Sequence, residues 1–178
     1  PYDGPPTHIF LQAGVGGMAG ATSAWFWQTF GAERPITVLV EPETAACWFA
    51  SLRAGQPVTV GGELESIMAG LACGEVSRLA WPILHHGADA MVAIPDDDAA
   101  DAMRLLADGR HGDAPIVAGE SAVAGLAGLL AVSGNEKARA ALGLDGASRV
   151  VVFGTEGATD ADTYAAIVGR RPEEVAAP

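Results

Sequence analysis

Short apolar runs alternate along the chain with longer stretches in which apolar residues recur at helical spacing. The apolar runs predict strands at residues 9–12, 36–40, 90–93 and 150–153, a weaker strand at 115–117 and a short extended piece at 58–60. The other stretches predict helices at residues 18–30, 44–53, 66–85, 96–107, 122–132 and 136–142, with a further helix after Thr163. Strands that alternate with helices form parallel sheets, so the pattern predicts an α/β fold. We expect an open parallel sheet flanked by helices, in a single domain that spans residues 1–178.

The first predicted strand stops at a glycine cluster, and the sequence turns helical directly afterwards: THIFLQAGVGGMAG, residues 7–20. Glycine has no Cβ, so a ligand can touch the main chain there. The start of the following helix adds unpaired N–H groups and partial positive charge, which favour an anion, above all a phosphate. A tight strand-to-helix turn that needs glycine for packing explains the same residues equally well.

The nature of such a phosphate is open at this point. Gly14, Gly16 and Ala19 fit the dinucleotide fingerprint G-x-G-x-x-G/A, and the second predicted strand leads into the acid Glu41. A dinucleotide site uses such an acid to bind the ribose hydroxyls. Glu41 lies 27 residues beyond Gly14, whereas about 20 is usual. A nicotinamide or flavin site therefore competes with a compact phosphate cofactor.

Composition narrows the class of protein. Hydrophobic residues make up 49% of the 178 residues, which predicts a folded chain. The net charge of −12 argues against nucleic acid and anionic membrane, because both bind through basic residues. With no membrane-length apolar run and no signal sequence, we expect a cytoplasmic location, with Cys47 and Cys73 as buried free thiols.

Several polar clusters have ordinary structural explanations. The run Asp96, Asp97 and Asp98 precedes a predicted helix, where acids cap and suit the helix dipole, so we expect no metal site. His85 and His86 end a helical stretch before a glycine, which is common capping chemistry. The tryptophans are expected in the core or at an interface; they are Trp25, Trp27 and Trp48.

Two other segments are better candidates for a site. In AGESAVAG, residues 118–125, Glu120 and Ser121 open a helix of small residues. In FGTEGATD, residues 153–160, Thr155 follows the last predicted strand. Open α/β sheets bind ligands at the carboxyl ends of their strands, so this second segment is well placed for a ligand.

These segments together carry a resemblance. The chain resembles the C-terminal part of the diaminopropionate ammonia-lyases, pyridoxal-phosphate enzymes of fold type II, the tryptophan-synthase-β-like group. The likeness runs in one register through THIFLQAGVGGMAG, VEP (residues 40–42), GGELESIMAGLACGE (residues 61–75), AGES and TEGATD to the closing VAAP. It departs at Gly154, Ala158 and Ser66, where the family tends to have Ser, Asp and Thr.

The resemblance implies a set of site residues. The glycine loop would cradle the phosphate of pyridoxal 5'-phosphate through Gly14, Val15, Gly16, Gly17 and Met18. Thr155 would face the pyridine nitrogen, while Ser66 and Glu120 are candidates for the substrate wall. Glu41 then need not be a ribose ligand, since the family has the same acid in VEP. The implied fold is the larger lobe of a fold-type-II enzyme.

The resemblance also exposes an absence. Pyridoxal-phosphate chemistry needs a Schiff-base lysine, and the one lysine of this sequence, Lys137, lies in a predicted surface helix without the family's context. We therefore expect no catalytic residue in this chain. We expect the chain to be a fragment, whose opening PYDGPP looks like a cut end, and a missing N-terminal portion to carry the lysine.

The implied activity of the full enzyme is α,β-elimination of 2,3-diaminopropionate, a small amino acid, to pyruvate and ammonia. The resemblance also implies that the enzyme is a homodimer. A serine or threonine deaminase is the nearest alternative. A Rossmann-like oxidoreductase domain, and a non-catalytic remnant or interaction module, are the others.

Overall fold

A computed structural model describes residues 4–176 of the chain, so residues 1–3 of the opening PYDGPP and residues 177–178 of the closing VAAP lie outside it. The sheet has four parallel strands in the order β3-β2-β1-β4. They are β1 (His8–Gln12), β2 (Ile36–Pro42), β3 (Ala90–Ile94) and β4 (Val150–Val152). The predicted open parallel sheet with flanking helices is confirmed.

Eight α-helices connect or cover the strands in the described part of the chain. They are α1 (Gly17–Phe30), α2 (Cys47–Ala54), α3 (Trp81–Gly87), α4 (Asp96–Asp108), α5 (Ala124–Gly134), α6 (Glu136–Leu142), α7 (Ala161–Val168) and α8 (Pro172–Val175). Short 3₁₀ turns occur at Gly31–Glu33, Glu43–Ala45, Ala69–Leu71 and Arg110–Gly112. No helix between residues 4 and 176 is both long enough and apolar enough to cross a membrane.

The two central strands, β1 and β2, are buried on both faces, which explains the apolar runs within them. The edge strands β3 and β4 are only partly buried. Ile9, Leu11 and Leu39 point to one side, into a core shared with α1, α2 and α3. Phe10 and Val38 point to the other side, into a core shared with α4 and α5. The alternation along β1 thus divides its side chains between two hydrophobic cores.

Helix α5 packs unusually close to the sheet, because its sequence is rich in small residues. A Cβ on Gly125 would lie 2.8 Å from the carbonyl oxygen of Phe10, and one on Gly128 would lie 2.6 Å from Val40 Cγ2. Any larger side chain at either position would push the helix away from the strands. The turn that precedes α5 is therefore held close to the end of β1.

The predicted helix at residues 66–85 is wrong. The structure has the 3₁₀ turn Ala69–Leu71 and the helix α3 (Trp81–Gly87), joined by a loop. A Cβ on Gly74 would meet the carbonyl oxygen of Val60 at 2.8 Å, and the Ser77 hydroxyl accepts from the N–H groups of residues 79 and 80. Close backbone packing and a local serine cap outweigh the helical propensity of the sequence.

The weak strand predicted at 115–117 and the extended piece at 58–60 do not join the sheet. Ile116 donates its N–H to the carbonyl oxygen of Leu106 near the end of α4, at 2.9 Å. Val60 donates to the Gly74 carbonyl, also at 2.9 Å. Both segments satisfy their backbone groups against loops or helix ends. The predicted helix at 44–53 also starts later, at Cys47, after a 3₁₀ turn.

Some of the smaller structural predictions are confirmed and others are not. His85 and His86 lie in the last turn of α3. Trp48 is fully buried, whereas Trp25 and Trp27 are exposed on α1. The acids at residues 96–98 lie in the first turn of α4, although the cap position itself is Pro95 and not an aspartate.

Candidate functional site

A cavity of about 350 Å³ opens at the carboxyl ends of β1 and β4. Segments far apart in sequence line it: Gln12, Gly14, Val15, Gly16, Gly17, Met18, Gly70, Leu71, Ser121, Thr155 and Glu156. The five residues of the predicted phosphate cradle and Thr155 therefore border one cavity. Parallel strands end at the same sheet edge, which is why the loops that follow β1 and β4 meet.

The glycine loop turns its carbonyl groups away and leaves its N–H groups free. The Gly14 carbonyl accepts from Trp48 Nε1 at 3.0 Å, and the Val15 carbonyl accepts from the Ser77 N–H at 2.8 Å. Within the described chain, the N–H groups of residues 15–18 donate to no other group. Helix α1 starts at Gly17 without a side-chain cap and without an acid in its first turn. These free donors at a helix N-terminus form a cradle for an anion.

The three glycines of this loop serve different purposes. A Cβ on Gly14 would lie 2.8 Å from the Gly70 carbonyl oxygen, and one on Gly16 would overlap the Trp48 ring. Gly16 also has a φ of +94°, which side chains other than glycine rarely adopt. A Cβ on Gly17, by contrast, would have no neighbour within 4 Å. Packing thus requires the first two glycines, while Gly17 faces open space.

The hydroxyl of Thr155 is held by Gln12, the last residue of β1. Gln12 Nε2 donates to the Phe153 carbonyl oxygen at 2.7 Å and to Thr155 Oγ1 at 2.9 Å. Gln12 is buried, whereas Thr155 is exposed to the cavity. Sequence reasoning missed Gln12, although a polar residue at the end of an otherwise apolar strand was a usable signal.

Another part of the cavity lining comes from three segments joined by hydrogen bonds between side chains and backbone. Ser121 Oγ accepts from the Gly70 N–H at 3.0 Å, and the Ser121 N–H donates to Glu156 Oε2 at 3.1 Å. The sequence singled out the segments containing these residues, but it named Ser66 and Glu120 in them as the substrate candidates.

Ser66 and Glu120 do not line the cavity. Ser66 Oγ donates to Asp96 Oδ1 at 2.6 Å and accepts from the Met68 N–H at 3.0 Å, so it ties its loop to the start of α4. Glu120 is buried beside Ser121, and its Oε1 has no hydrogen-bond partner within residues 4–176. That part of the chain also contains no cluster of three or more His, Cys, Asp or Glu side chains able to hold a metal ion.

Glu41 has a structural role, which argues against its use as the ribose ligand of a dinucleotide site. Its side chain is fully buried, and its two carboxylate oxygens accept from the N–H groups of Trp48, at 3.0 Å, and Phe49, at 2.8 Å. Burial raises the pKa of Glu41 to about 7, although both N–H groups act to lower it. The carboxylate caps α2 and does not reach the cavity, so it cannot bind a ribose there.

The remaining reactive side chains lie away from the cavity lining. Lys137 is exposed on α6. Cys47 and Cys73 are free thiols, as predicted, but Cys73 is only half-buried. Burial raises the pKa of the Cys47 thiol to about 12, so this thiol is unreactive at neutral pH.

Comparisons with known proteins identify sequences and structures similar to this chain. A family model described as "Pyridoxal-phosphate dependent enzyme" matches residues 2–156. Diaminopropionate ammonia-lyase from Escherichia coli is 38% identical over 174 residues, which are 96% of this chain and 44% of that protein. The chain thus spans less than half the length of the curated relatives it matches.

Solved structures extend the comparison. The crystal structure of Escherichia coli diaminopropionate ammonia-lyase with an aminoacrylate-PLP azomethine reaction intermediate has a TM-score of 0.84 and 36% identity, over 93% of this chain and 43% of that one. The processed form of threonine deaminase isoform 2 from Solanum lycopersicum has a TM-score of 0.75 over 97% of this chain and 45% of that one. At 18% identity, this second likeness concerns the fold alone.

Proposed function

The chain belongs to the family of pyridoxal-phosphate dependent enzymes, and on that premise we propose that it is the cofactor-binding part of a diaminopropionate ammonia-lyase. The reaction of the complete enzyme would convert 2,3-diaminopropionate and water into pyruvate and two molecules of ammonia. Identity of 38% to an enzyme of that activity, along almost the whole of this chain, supports this substrate.

The observation that carries the proposal is that free backbone donors and a fixed hydroxyl border the same cavity. The N–H groups of residues 15–18 fit a phosphate, because they have no acceptor within residues 4–176 and lie at the start of α1. Thr155, which lines the same cavity, offers one hydroxyl to the heterocyclic ring of the same cofactor. The residues present therefore fit pyridoxal 5'-phosphate at both of its polar ends.

The chemistry that pyridoxal phosphate supplies when bound is withdrawal of electrons from the substrate carbon. The protein adjusts that withdrawal through Thr155, since a neutral hydroxyl favours a protonated ring nitrogen less than a carboxylate would. A weaker electron sink suits β-elimination, in which the leaving group departs promptly. Ser121 and Gly70, which also line the cavity, would bound its substrate side.

The lysine that holds the cofactor covalently would come from another part of a longer protein. Lys137 is exposed on α6 and does not border the cavity. We propose that an N-terminal portion supplies the lysine, that residues 1–178 form one domain of the complete enzyme, and that this enzyme is a cytoplasmic homodimer. The share of the relatives that this chain covers, 44%, leaves ample length for such a portion.

The test is turnover by the full-length enzyme that contains this sequence. Purified enzyme with pyridoxal phosphate should release pyruvate from 2,3-diaminopropionate, measured with lactate dehydrogenase, while residues 1–178 alone should release none. Serine and threonine are assayed in parallel, and a higher kcat/KM for either would reassign the enzyme to the deaminases.

A matched pair of variants tests the site itself. Thr155→Val removes the hydroxyl with little change of shape and should lower turnover, whereas Lys137→Arg should leave turnover unchanged, because Lys137 lies outside the cavity. Loss of activity in Lys137→Arg would contradict the proposed origin of the lysine. Binding of NAD to the purified protein, without binding of pyridoxal phosphate, would favour the oxidoreductase alternative.

A further inference from the structure

The hydrogen bond between Gln12 and Thr155 has a fixed direction. Gln12 Nε2 lies 2.7 Å from the Phe153 carbonyl oxygen, which can only accept. Exchanging the amide oxygen and nitrogen of Gln12 would place two acceptors face to face, so the nitrogen must be the atom on this side. The same nitrogen lies 2.9 Å from Thr155 Oγ1. With two N–H protons, Gln12 donates one to each partner.

The direction of that bond determines what Thr155 can offer to a ligand. A threonine hydroxyl has one proton and two acceptor lone pairs. Because Gln12 fills one lone pair, the Thr155 proton is not needed for this contact, and within residues 4–176 the hydroxyl makes no other hydrogen bond. Thr155 lines the cavity, so its proton can point into the cavity toward a ligand acceptor.

We propose that Gln12 is a positioning residue that makes Thr155 a hydrogen-bond donor to the cofactor, and so keeps the facing ring nitrogen unprotonated. An unprotonated pyridine nitrogen accepts a hydrogen bond from Thr155. A protonated one would use the second lone pair of Thr155 and leave the hydroxyl proton without an acceptor among residues 4–176. This inference rests on the proposed function, since it needs a heterocyclic nitrogen opposite Thr155. It adds that Gln12 sets which partner donates in the hydrogen bond between Thr155 and the ring nitrogen.

Burial makes Gln12 suited to this task. Its side chain is 4% exposed, and its Oε1 is buried without a hydrogen-bond partner in the described chain. A Cβ on Gly125 would lie 3.3 Å from that oxygen, so α5 closes the space behind the amide. A buried carbonyl without a hydrogen-bond partner is unfavourable, which indicates that the function of Gln12 lies in the hydrogen bonds that its amide nitrogen donates.

The test measures the ring nitrogen directly, in the full-length enzyme loaded with pyridoxal phosphate labelled with ¹⁵N in the ring. The ¹⁵N shift of wild type should be that of an unprotonated nitrogen. The glutamate of Gln12→Glu has at most one proton to donate, and the nearer Phe153 carbonyl oxygen accepts it. Thr155 then donates its own proton to the glutamate, so the ring ¹⁵N resonance should move toward that of a protonated nitrogen. Gln12→Met removes both donors and should weaken cofactor binding about two- to tenfold, the net worth of one hydrogen bond.

The controls separate the possible failures. Gln28 is exposed on α1, and Gln28→Glu should leave the ring resonance and the affinity unchanged. If Thr155→Val moves the resonance while both Gln12 variants leave it as in wild type, the role of Gln12 is overturned and the proposed function stands. If wild type binds no pyridoxal phosphate, the proposed function fails and the inference fails with it.

A measurement without cofactor guards against Gln12 variants that do not fold. In wild-type enzyme, both side-chain amide protons of Gln12 should exchange slowly with solvent in NMR spectra, because both are hydrogen-bonded and buried. Thr155→Val should make one of the two exchange faster while the proton on the Phe153 carbonyl stays protected. Equal exchange in wild type and Thr155→Val would overturn the inference.

Discussion

The buried carboxyl group of Glu41 should make the stability of the protein depend on pH in an unusual direction. Its oxygens accept from two N–H groups in the first turn of α2, which favours the charged form. Complete burial favours the neutral form and is the larger effect, so the pKa rises from 4.5 to about 7.

The sign and size of the effect follow from those two values. Between pH 4.5 and about 7, the folded state keeps a proton on Glu41 that the unfolded state has lost. Stability from this group is therefore complete below the unfolded pKa and falls as the pH rises to the folded pKa. At about 1.4 kcal/mol per pH unit, the loss over this window is about 3 kcal/mol.

Glu41→Gln isolates this contribution, because glutamine does not titrate. The free energy of unfolding in urea is measured for wild type and variant at a series of pH values, and the difference cancels the other acidic groups. The free energy of unfolding of wild type should fall by about 3 kcal/mol relative to that of the variant between pH 4.5 and about 7. Outside this range, the difference between the two proteins should not change with pH. Glu43→Gln, at an exposed position nearby, controls for the loss of one charge.

Two results would refute this reasoning. A difference that does not change with pH would mean that Glu41 titrates alike in both states. A difference that grows in favour of wild type as the pH rises would mean that the N-terminus of α2 stabilises the charged carboxylate of Glu41 more than burial destabilises it. The outcome also concerns the candidate site, because Glu41 anchors Trp48, whose indole donates to the Gly14 carbonyl.

Two further predictions concern the glycine loop and the core. Gly16→Ala should lower the free energy of unfolding by about 3 kcal/mol, from its positive φ and the overlap with Trp48, while Gly17→Ala, which faces open space at the start of α1, should raise it by about 0.5 kcal/mol. Equal effects of the two alanines in urea unfolding would contradict the assigned packing. Tyr164→Phe should leave the free energy of unfolding unchanged or raise it by up to about 1 kcal/mol, because the buried hydroxyl has no hydrogen-bond partner within residues 4–176. A clear loss of stability in Tyr164→Phe would reveal a partner for that hydroxyl.

The parts of the fold that sequence reasoning predicted correctly depend on local signals. All four strands were predicted from apolar runs, which reflect burial on both faces in β1 and β2 and partial burial at the sheet edges in β3 and β4. The glycine loop was visible for a related reason, because a strand that ends in glycines before a helix has few alternative structures. The 66–85 helix failed because its breaks depend on Val60 and Ser121, which approach Gly74 and Gly70 from elsewhere in the chain.

By itself, the sequence predicted the sheet from its apolar runs, whereas the phosphate cradle and Thr155 were candidates that the family resemblance implied. The tertiary structure alone decided that Gln12 holds Thr155, 143 residues away, and that Ser121 bonds to Gly70, 51 residues away. It also decided that Glu41 caps a helix and does not bind a ribose. A hydrogen bond depends on distance and direction in space, and those are set only when the strands and helices have packed.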